Sequence, residues 1–234
     1  MSLTRVKNIT ANTTVTGDVN ITGVLTTTST GTTLSSNTYN VVKIQTDKDD
    51  TAAADGLLQF THGSANTVKG EIRYDASESM FEIGHGDNQG HLRINTNGHV
   101  TMPYQPAFDV AQPAQVSGDH TFSQIHLNRG SHYDNSNGRF TAPVAGVYVF
   151  NFGGIKNGNS TTTVRLYVKK NGSRLYSQRH LRLDGGQVDT YGDNGSVQWI
   201  AELAVNDYIQ AETGAGSIYN ATGEYTTFSG FLVG

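Results

Sequence analysis

Apolar and polar residues alternate along much of this chain, which is the pattern of half-buried β-strands. In the stretch Val144 to Phe152, reading VAGVYVFNF, three aromatic residues occupy every second position. A pleated strand would therefore place the rings of Tyr148, Phe150 and Phe152 on one face. We interpret these rings as packing inside a sandwich rather than as a ligand site.

Turn signals divide the same region into strands. Asn137-Gly138 is a turn pair, and Pro143 with Gly146 interrupts the chain before the aromatic strand. The segment is therefore interpreted as an antiparallel hairpin. Further strands are predicted at 163–170, 174–183, 196–203, 207–213 and 224–233, with Asn171-Gly172 as a hairpin turn between the first two.

A second β region precedes this one, and we assign it to a middle module at residues 41–102. Its predicted strands are short and separated by turn residues such as those at 75–77 and 95–98. They are the strands at 39–44, 57–60, 70–74, 80–84, 91–94 and 99–102.

Residues 1–40 show a repeat of six residues from Ile9 onward, in which each unit begins with a β-branched residue followed by Thr. Stacked repeats need neighbours to cover their apolar faces, so copies of the chain would have to supply them. The repeat thus indicates a trimeric β shaft that also carries the attachment point. A flexible Thr/Asn-rich tail is the alternative.

Composition excludes several classes of protein. Net charge is −4 and no basic run is longer than Lys169-Lys170, which argues against nucleic acid as a partner. No apolar run is long enough to cross a bilayer, so membrane insertion is not expected. The chain has no cysteine, and its first residues lack the apolar core of a secretion signal. Synthesis in a cytoplasm is therefore the expectation.

The search for catalytic chemistry finds no motif of a nucleophile elbow, a phosphate loop, a zinc helix or a calcium loop. Carboxylates cluster at Asp47, Asp49 and Asp50 and at Asp184, Asp189 and Asp193, where a sugar-cleaving pair is conceivable but solvated loop charges are favoured. The eight histidines offer no pair on one strand face. We therefore expect no enzyme and no cofactor, and the metal ligands stay unknown.

The segment from residue 103 to 234 resembles the globular-head family of complement C1q. The resemblance rests on a spaced set of residues, namely Phe122, Asn128, Tyr133, Phe140, Gly146, Tyr148, Phe150 and Phe152, with Phe228 and Gly230 in a strand similar to the closing strand of the family. It implies a jelly-roll sandwich like that of C1q and tumour necrosis factor, assembled as a homotrimer. Some relatives bind calcium near the three-fold axis, so calcium is a possible ion here.

The middle module resembles, more loosely, the fibre proteins of tailed bacteriophages, through segments such as 71–75, 81–84 and 98–103. The resemblance implies a tail fibre in the virion, bound through its N-terminus to a tail or baseplate protein, with the head recognising a host surface glycan or protein. A head fibre or capsid decoration protein shares every feature named. A sugar-cleaving tailspike and a secreted lectin are the alternatives from other classes.

Receptor contacts are expected on one end of the head. The connections predicted at 153–161, 184–195 and 214–223 are long and rich in Gly, Asn, Ser, Asp and Tyr, a mixture that gives adaptable contact surfaces. The predicted contact residues are Tyr191, Asp193, Asn194, Tyr219 and Asn220.

Overall fold

The computed structural model describes residues 56–62, 67–86, 90–158, 161–176, 178–184, 191–220 and 224–234. Strands are the only regular secondary structure in these ranges, which confirms the all-β class. No helix in these ranges is long and apolar enough to cross a membrane. The predicted N-terminal shaft and the strand predicted at 39–44 lie outside the described residues, and the boundaries at residues 40 and 102 stay predictions.

The middle module contains one five-stranded antiparallel sheet with its strands in chain order. The strands are β1 (Gly56–His62), β2 (Thr67–Asp75), β3 (Met80–Gly84), β4 (Gly90–Ile94) and β5 (Val100–Thr101). Side chains close the predicted turns: the backbone N–H of Glu78 donates to the Asp75 carboxylate at 3.0 Å, and that of Asn97 donates to Asn95 Oδ1 at 3.0 Å. Alternation and turn residues together therefore predicted this sheet.

The head is a sandwich of two antiparallel sheets. Its strands are β6 (Ala107–Pro113), β7 (Gly118–Asp119), β8 (Phe122–Arg129), β9 (Tyr133–Asp134), β10 (Arg139–Thr141), β11 (Gly146–Asn157), β12 (Val164–Lys170), β13 (Ser173–Arg174), β14 (Leu181–Leu183), β15 (Tyr191–Leu203), β16 (Tyr208–Ala215) and β17 (Thr227–Leu232). The first sheet has the order β15-β11-β17-β6-β8. The second has the order β13-β12-β16-β10-β9, with β14 beside β12 and β7 beside β16.

Aromatic rings fill the space between the two sheets. The three alternating rings of β11, at Tyr148, Phe150 and Phe152, are fully buried, as are Phe140 and Phe228. The other ring-bearing family positions are buried as well, and Asn128 closes a turn by donating to the Tyr133 carbonyl at 2.8 Å and accepting from the Tyr133 N–H at 3.0 Å. The interpretation of these rings as core is confirmed.

The predicted hairpin is confirmed at Asn137-Gly138, which joins the antiparallel strands β9 and β10, but the two strands on either side of Pro143 do not pair with each other. Phe140 in β10 pairs with Tyr133 and Ile209 in the second sheet, whereas β11 pairs with β15 and β17 in the first. The backbone N–H of Ala142 donates to the Asp207 carbonyl at 2.8 Å, which holds the segment before Pro143 on the second sheet. The prolyl interruption therefore carries the chain from one sheet to the other.

The hairpin turn at Asn171-Gly172 is confirmed. Both residues have positive φ, at 50° and 82°, as a two-residue hairpin turn of this type requires. The strand predicted at 174–183 is divided into two short strands, because the chain turns at Tyr176, where φ is 59°. These two strands, β13 and β14, each pair with β12.

All three loops predicted at one end are partly strand, the last of them only at Gly214 and Ala215, which end β16. β11 continues to Asn157 and β15 begins at Tyr191, so these two strands pair through the glycine-rich region. Gly153 pairs with Ser196 and Gly154 pairs with Gly195. Glycine offers no side chain to pack, which lowers its strand propensity, but its backbone still forms the ladder when long neighbours hold it.

Candidate recognition site

The end of the sandwich opposite Gly234 brings the predicted contact segments together, and we call it the far end. Asn157 pairs with Tyr191, and Ile155 pairs with Asn194. The backbone N–H of Tyr219 donates to the Ile155 carbonyl at 2.8 Å, so the connection between β16 and β17 lies against the same part of β11. Gly146, at the start of β11, is beside the chain terminus, because the neighbouring Val147 N–H donates to the Gly234 carbonyl at 2.7 Å.

The five predicted contact residues fall on two of these segments. Tyr191, Asp193 and Asn194 belong to β15 and not to a loop as expected, and the carboxylate and amide of the last two are exposed. Asn220 is exposed and Tyr219 is half-buried, both beyond the end of β16. The structure thus gathers the predicted segments at one end while correcting the secondary structure of three residues.

A shallow depression of about 370 Å³ lies beside them on the first sheet. Gly153, Gly154 and Gly195 line it, together with Asn194, Glu224 and Tyr225, the three residues that we call its rim. A Cβ atom on Gly153 would lie 2.8 Å from the Ser196 Cβ atom and 3.2 Å from the Gly195 carbonyl oxygen, so the depression depends on this glycine.

The rim combines aromatic and charged groups. The rings of Tyr219 and Tyr225 meet edge to face, with centroids 5.5 Å apart and an interplanar angle of 73°. The Glu224 carboxylate lies 3.2 Å from His126 Nε2 on β8. Rigid tyrosine rings with neighbouring amide and carboxylate groups can stack on a sugar ring and hydrogen-bond to its hydroxyl groups.

Tyr225, Glu224 and His126 were not among the predicted contacts. The sequence interpretation placed Glu224 and Tyr225 inside the last strand, but β17 begins only at Thr227. The usable signal was the Gly-Glu-Tyr-Thr run at 223–226, which extends the polar, tyrosine-containing connection by three residues. His126 carried no local signal, because its partner is distant in sequence.

The carboxylate of Asp184 accepts hydrogen bonds from two side chains. It accepts from Thr163 Oγ1 at 2.7 Å and from Arg182 Nε at 2.5 Å. The hydrogen bond from Thr163, followed by that from Arg182, holds the pKa of Asp184 below its usual range. This aspartate is therefore an ionised member of a surface network rather than a protonated acid, and Asp189 lies outside the described residues.

Among the residues that the structure describes, no three His, Asp or Glu side chains converge as metal ligands within one chain. A site formed by one residue from each of several copies is not a property of a single chain. The calcium ion that the family resemblance implies therefore stays a prediction.

The comparisons with known proteins agree on one family. The C1q domain matches residues 107–233. Complement C1q tumor necrosis factor-related protein 3 of Homo sapiens is 31% identical over 112 residues, which are 48% of this chain and 43% of that protein. Caprin-2 of Danio rerio is 30% identical over 191 residues, 76% of this chain and 19% of that protein. The collagen alpha-1(X) chain of Mus musculus is 31% identical over 147 residues, 60% of this chain and 20% of that protein.

The chain thus spans less than half the length of the first of these relatives. Among solved structures, the globular domain of zebrafish complement 1qA matches with a TM-score of 0.41 and 24% identity, over 56% of this chain and 98% of that one. The match at residues 107–233 covers more than half of the sequence and coincides with the sandwich from β6 to β17. The chain therefore belongs to the C1q-domain family.

Proposed function

We propose that this protein is a trimeric receptor-binding fibre of a virus particle, a bacteriophage tail fibre, whose C1q head contacts a glycan or protein on the host surface. Domains of this family are typical of trimeric recognition heads. The proposal contains three separate claims, which concern the trimer, the contact surface and the virion.

The trimer claim rests on the outer face of the first sheet. Val149 faces Ile200 on one neighbouring strand and Phe231 on the other, so the three side chains form a row. Ile200 is 54% exposed and Phe231 is 51% exposed. A contiguous row of large apolar side chains on a sheet face is typical of an interface, and a closed ring of identical copies buries the same row in each copy.

The contact claim rests on the far end, and this observation carries the proposal. Asn194 and Tyr225 line the depression, exposed Asp193 precedes Asn194 in β15, and exposed Asn220 follows Tyr219, whose ring contacts that of Tyr225. The row at Val149 lies nearer the opposite end of the same sheet, at positions that pair closer to Gly146. Trimer formation through that row leaves the far-end residues as a separate polar and aromatic surface.

The virion claim is supported by the resemblance of segments 71–75, 81–84 and 98–103 to bacteriophage fibre proteins. Labelling intact particles with an antibody against the chain tests it directly. Label at the tail supports the proposal. Label at the capsid would support a head fibre or decoration protein, and unlabelled particles would remove the virion claim altogether.

Receptor binding is tested on the full chain with host cells and a glycan array. Replacing Tyr219 and Tyr191 by Ala, or Asn194 by Ala, is expected to weaken attachment at least tenfold with unchanged thermal melting. The matched control is Val205→Ala in the turn between β15 and β16, at the opposite end, which should attach normally. Normal attachment by the tyrosine double variant, with loss of attachment on altering the middle sheet, would place the receptor site outside the head.

A further inference from the structure

The sheet of the middle module has one face that is almost entirely apolar and uncovered. Two complete rows of paired residues cross it: Tyr74, Phe81, Ile94 and Val100 form one row, and Leu58, Ile72, Ile83 and Leu92 form the other. Phe60 extends this face beside Gly70. Phe60 is 56%, Tyr74 50% and Val100 59% exposed. We call this set the apolar face.

The opposite face of the same sheet is charged and closed. Arg73 is buried between the carboxylates of Glu71, Asp75 and Glu82, and the hydrogen bond with Glu82 raises its pKa. Arg93 Nε lies 2.9 Å from the second oxygen of the Glu82 carboxylate. Because these charges occupy one face, the sheet has no apolar interior of its own, and burial of hydrophobic surface must come from the other face.

The size of the apolar face is that of an interaction surface. Each row covers four strands that are about 4.8 Å wide, and two rows that are each about 7 Å wide then occupy roughly 19 Å by 14 Å, or about 270 Å², before the relief of the side chains is counted. That area is close to the largest apolar patch of a typical monomeric protein, which is about 300–600 Å² and is often functional. A single sheet with one bare face is also marginally stable alone.

The short connection between the middle module and the head limits how far the apolar face can lie from the head. Gln105 Nε2 donates to the Leu232 carbonyl at 2.6 Å, and the Gln105 N–H donates to the Met102 carbonyl at 3.1 Å. The head end of the joint, residues 102–106, therefore lies beside β17, close to Phe231 of the apolar row in the head. A chain of five residues spans at most about 17 Å, so copies joined through their heads hold their middle sheets near the same axis.

We propose that the apolar face is a second interface between copies of this chain, in which the three middle sheets pack face to face around the axis of the head trimer. This inference rests on the proposed trimer and adds the surface that continues it. The partner is a second copy because the face carries no charge to match a charged partner, and because the short joint places identical faces within reach of one another.

The test uses single cysteines in the full chain, which has none of its own. Ile83 lies on β3 at the centre of the sheet, and exposed Gln59 on β1 pairs with Glu71 on the opposite, charged face. With a short bismaleimide, Ile83→Cys is expected to give covalent pairs of chains on a denaturing gel. Gln59→Cys, the matched control, should remain a single chain.

Phe231→Cys distinguishes this inference from the trimer itself. Covalent pairs from both Phe231→Cys and Ile83→Cys support the two interfaces. Pairs from Phe231→Cys with none from Ile83→Cys would overturn the inference and leave the head trimer standing. Absence of pairs from Phe231→Cys, with light scattering at the monomer mass of 25.2 kDa, would overturn the trimer and the inference that rests on it.

Discussion

His120 makes the stability of the head depend on pH in a way that the structure specifies. Its side chain is fully buried, its Nε2 atom lies 2.7 Å from Thr213 Oγ1, and its ring is 6.0 Å from Phe122 and 5.7 Å from Phe152 between centroids. Burial lowers its pKa from 6.5 to about 4, against the smaller opposing influence of Asp119. The folded head therefore holds this imidazole neutral.

The direction in which the free energy of unfolding changes with pH follows from the pKa values of His120 in the unfolded and folded chain. As pH falls below 6.5 the unfolded chain binds a proton at His120, whereas the folded chain binds it only near pH 4, so the free energy of unfolding falls through that window and levels off below it. Each tenfold difference in proton affinity between the two states corresponds to about 1.4 kcal/mol, which gives a full loss of about 3 kcal/mol for this group. That is a large share of a total stability of about 5–15 kcal/mol.

The assay is urea unfolding of the full chain at fixed protein concentration, from about pH 7.5 to about pH 4.5. Over this pH range, the free energy of unfolding of His120→Asn should fall by about 2.5 kcal/mol less than that of the wild type, because the variant has no imidazole to protonate at this position. His126→Asn, at an exposed histidine, is the control and should follow the wild type. Parallel pH curves for His120→Asn and the wild type would refute the reasoning, since they would show that the imidazole is not held neutral.

Two further predictions concern the packing between β11 and β17. Phe150→Ala should lower the free energy of unfolding by about 3–5 kcal/mol in thermal or urea melts, and an unchanged melting curve would show that this ring is not core. Gly230→Ala should cost about 1–3 kcal/mol, because its Cβ atom would overlap the Phe150 ring at Cδ1. In the Phe150→Ala background, Gly230→Ala should lower the free energy of unfolding by less than it does in the wild type, because the Phe150 ring that the new Cβ atom would meet is absent. Strictly additive effects of the two substitutions would argue against this contact.

The sequence predicted the parts of the head that depend on local alternation. The rings of Tyr148, Phe150 and Phe152 lie on one face because the strand period is two, and no tertiary information is needed for that. The pairing of β10 with β16 instead of β11 could not be predicted in the same way. It depends on Asp207 and Ala142, which are distant in sequence and meet only in the folded sandwich.

The far end shows a second limit of local reasoning. Gly153, Gly154 and Gly195 looked like loop residues because glycine is depleted in strands, yet their backbones complete the ladder between β11 and β15. The three predicted segments still meet, since successive antiparallel strands return to the same end. What local reasoning missed was the rim of the depression, where Glu224 meets His126 across nearly a hundred residues of chain.

The middle sheet shows why alternation alone does not identify the buried face of a strand. Along β2 the residues Glu71 and Arg73 alternate with Ile72 and Tyr74, and sequence would assign the apolar pair to the interior. The structure buries the charged pair, because Arg73 and its carboxylates satisfy one another, and it leaves Tyr74 half exposed. The contact between copies that we propose would cover this open apolar face. The same reasoning applies to Phe231 on the head, so folding of the middle sheet and association of the heads are expected to stabilise each other.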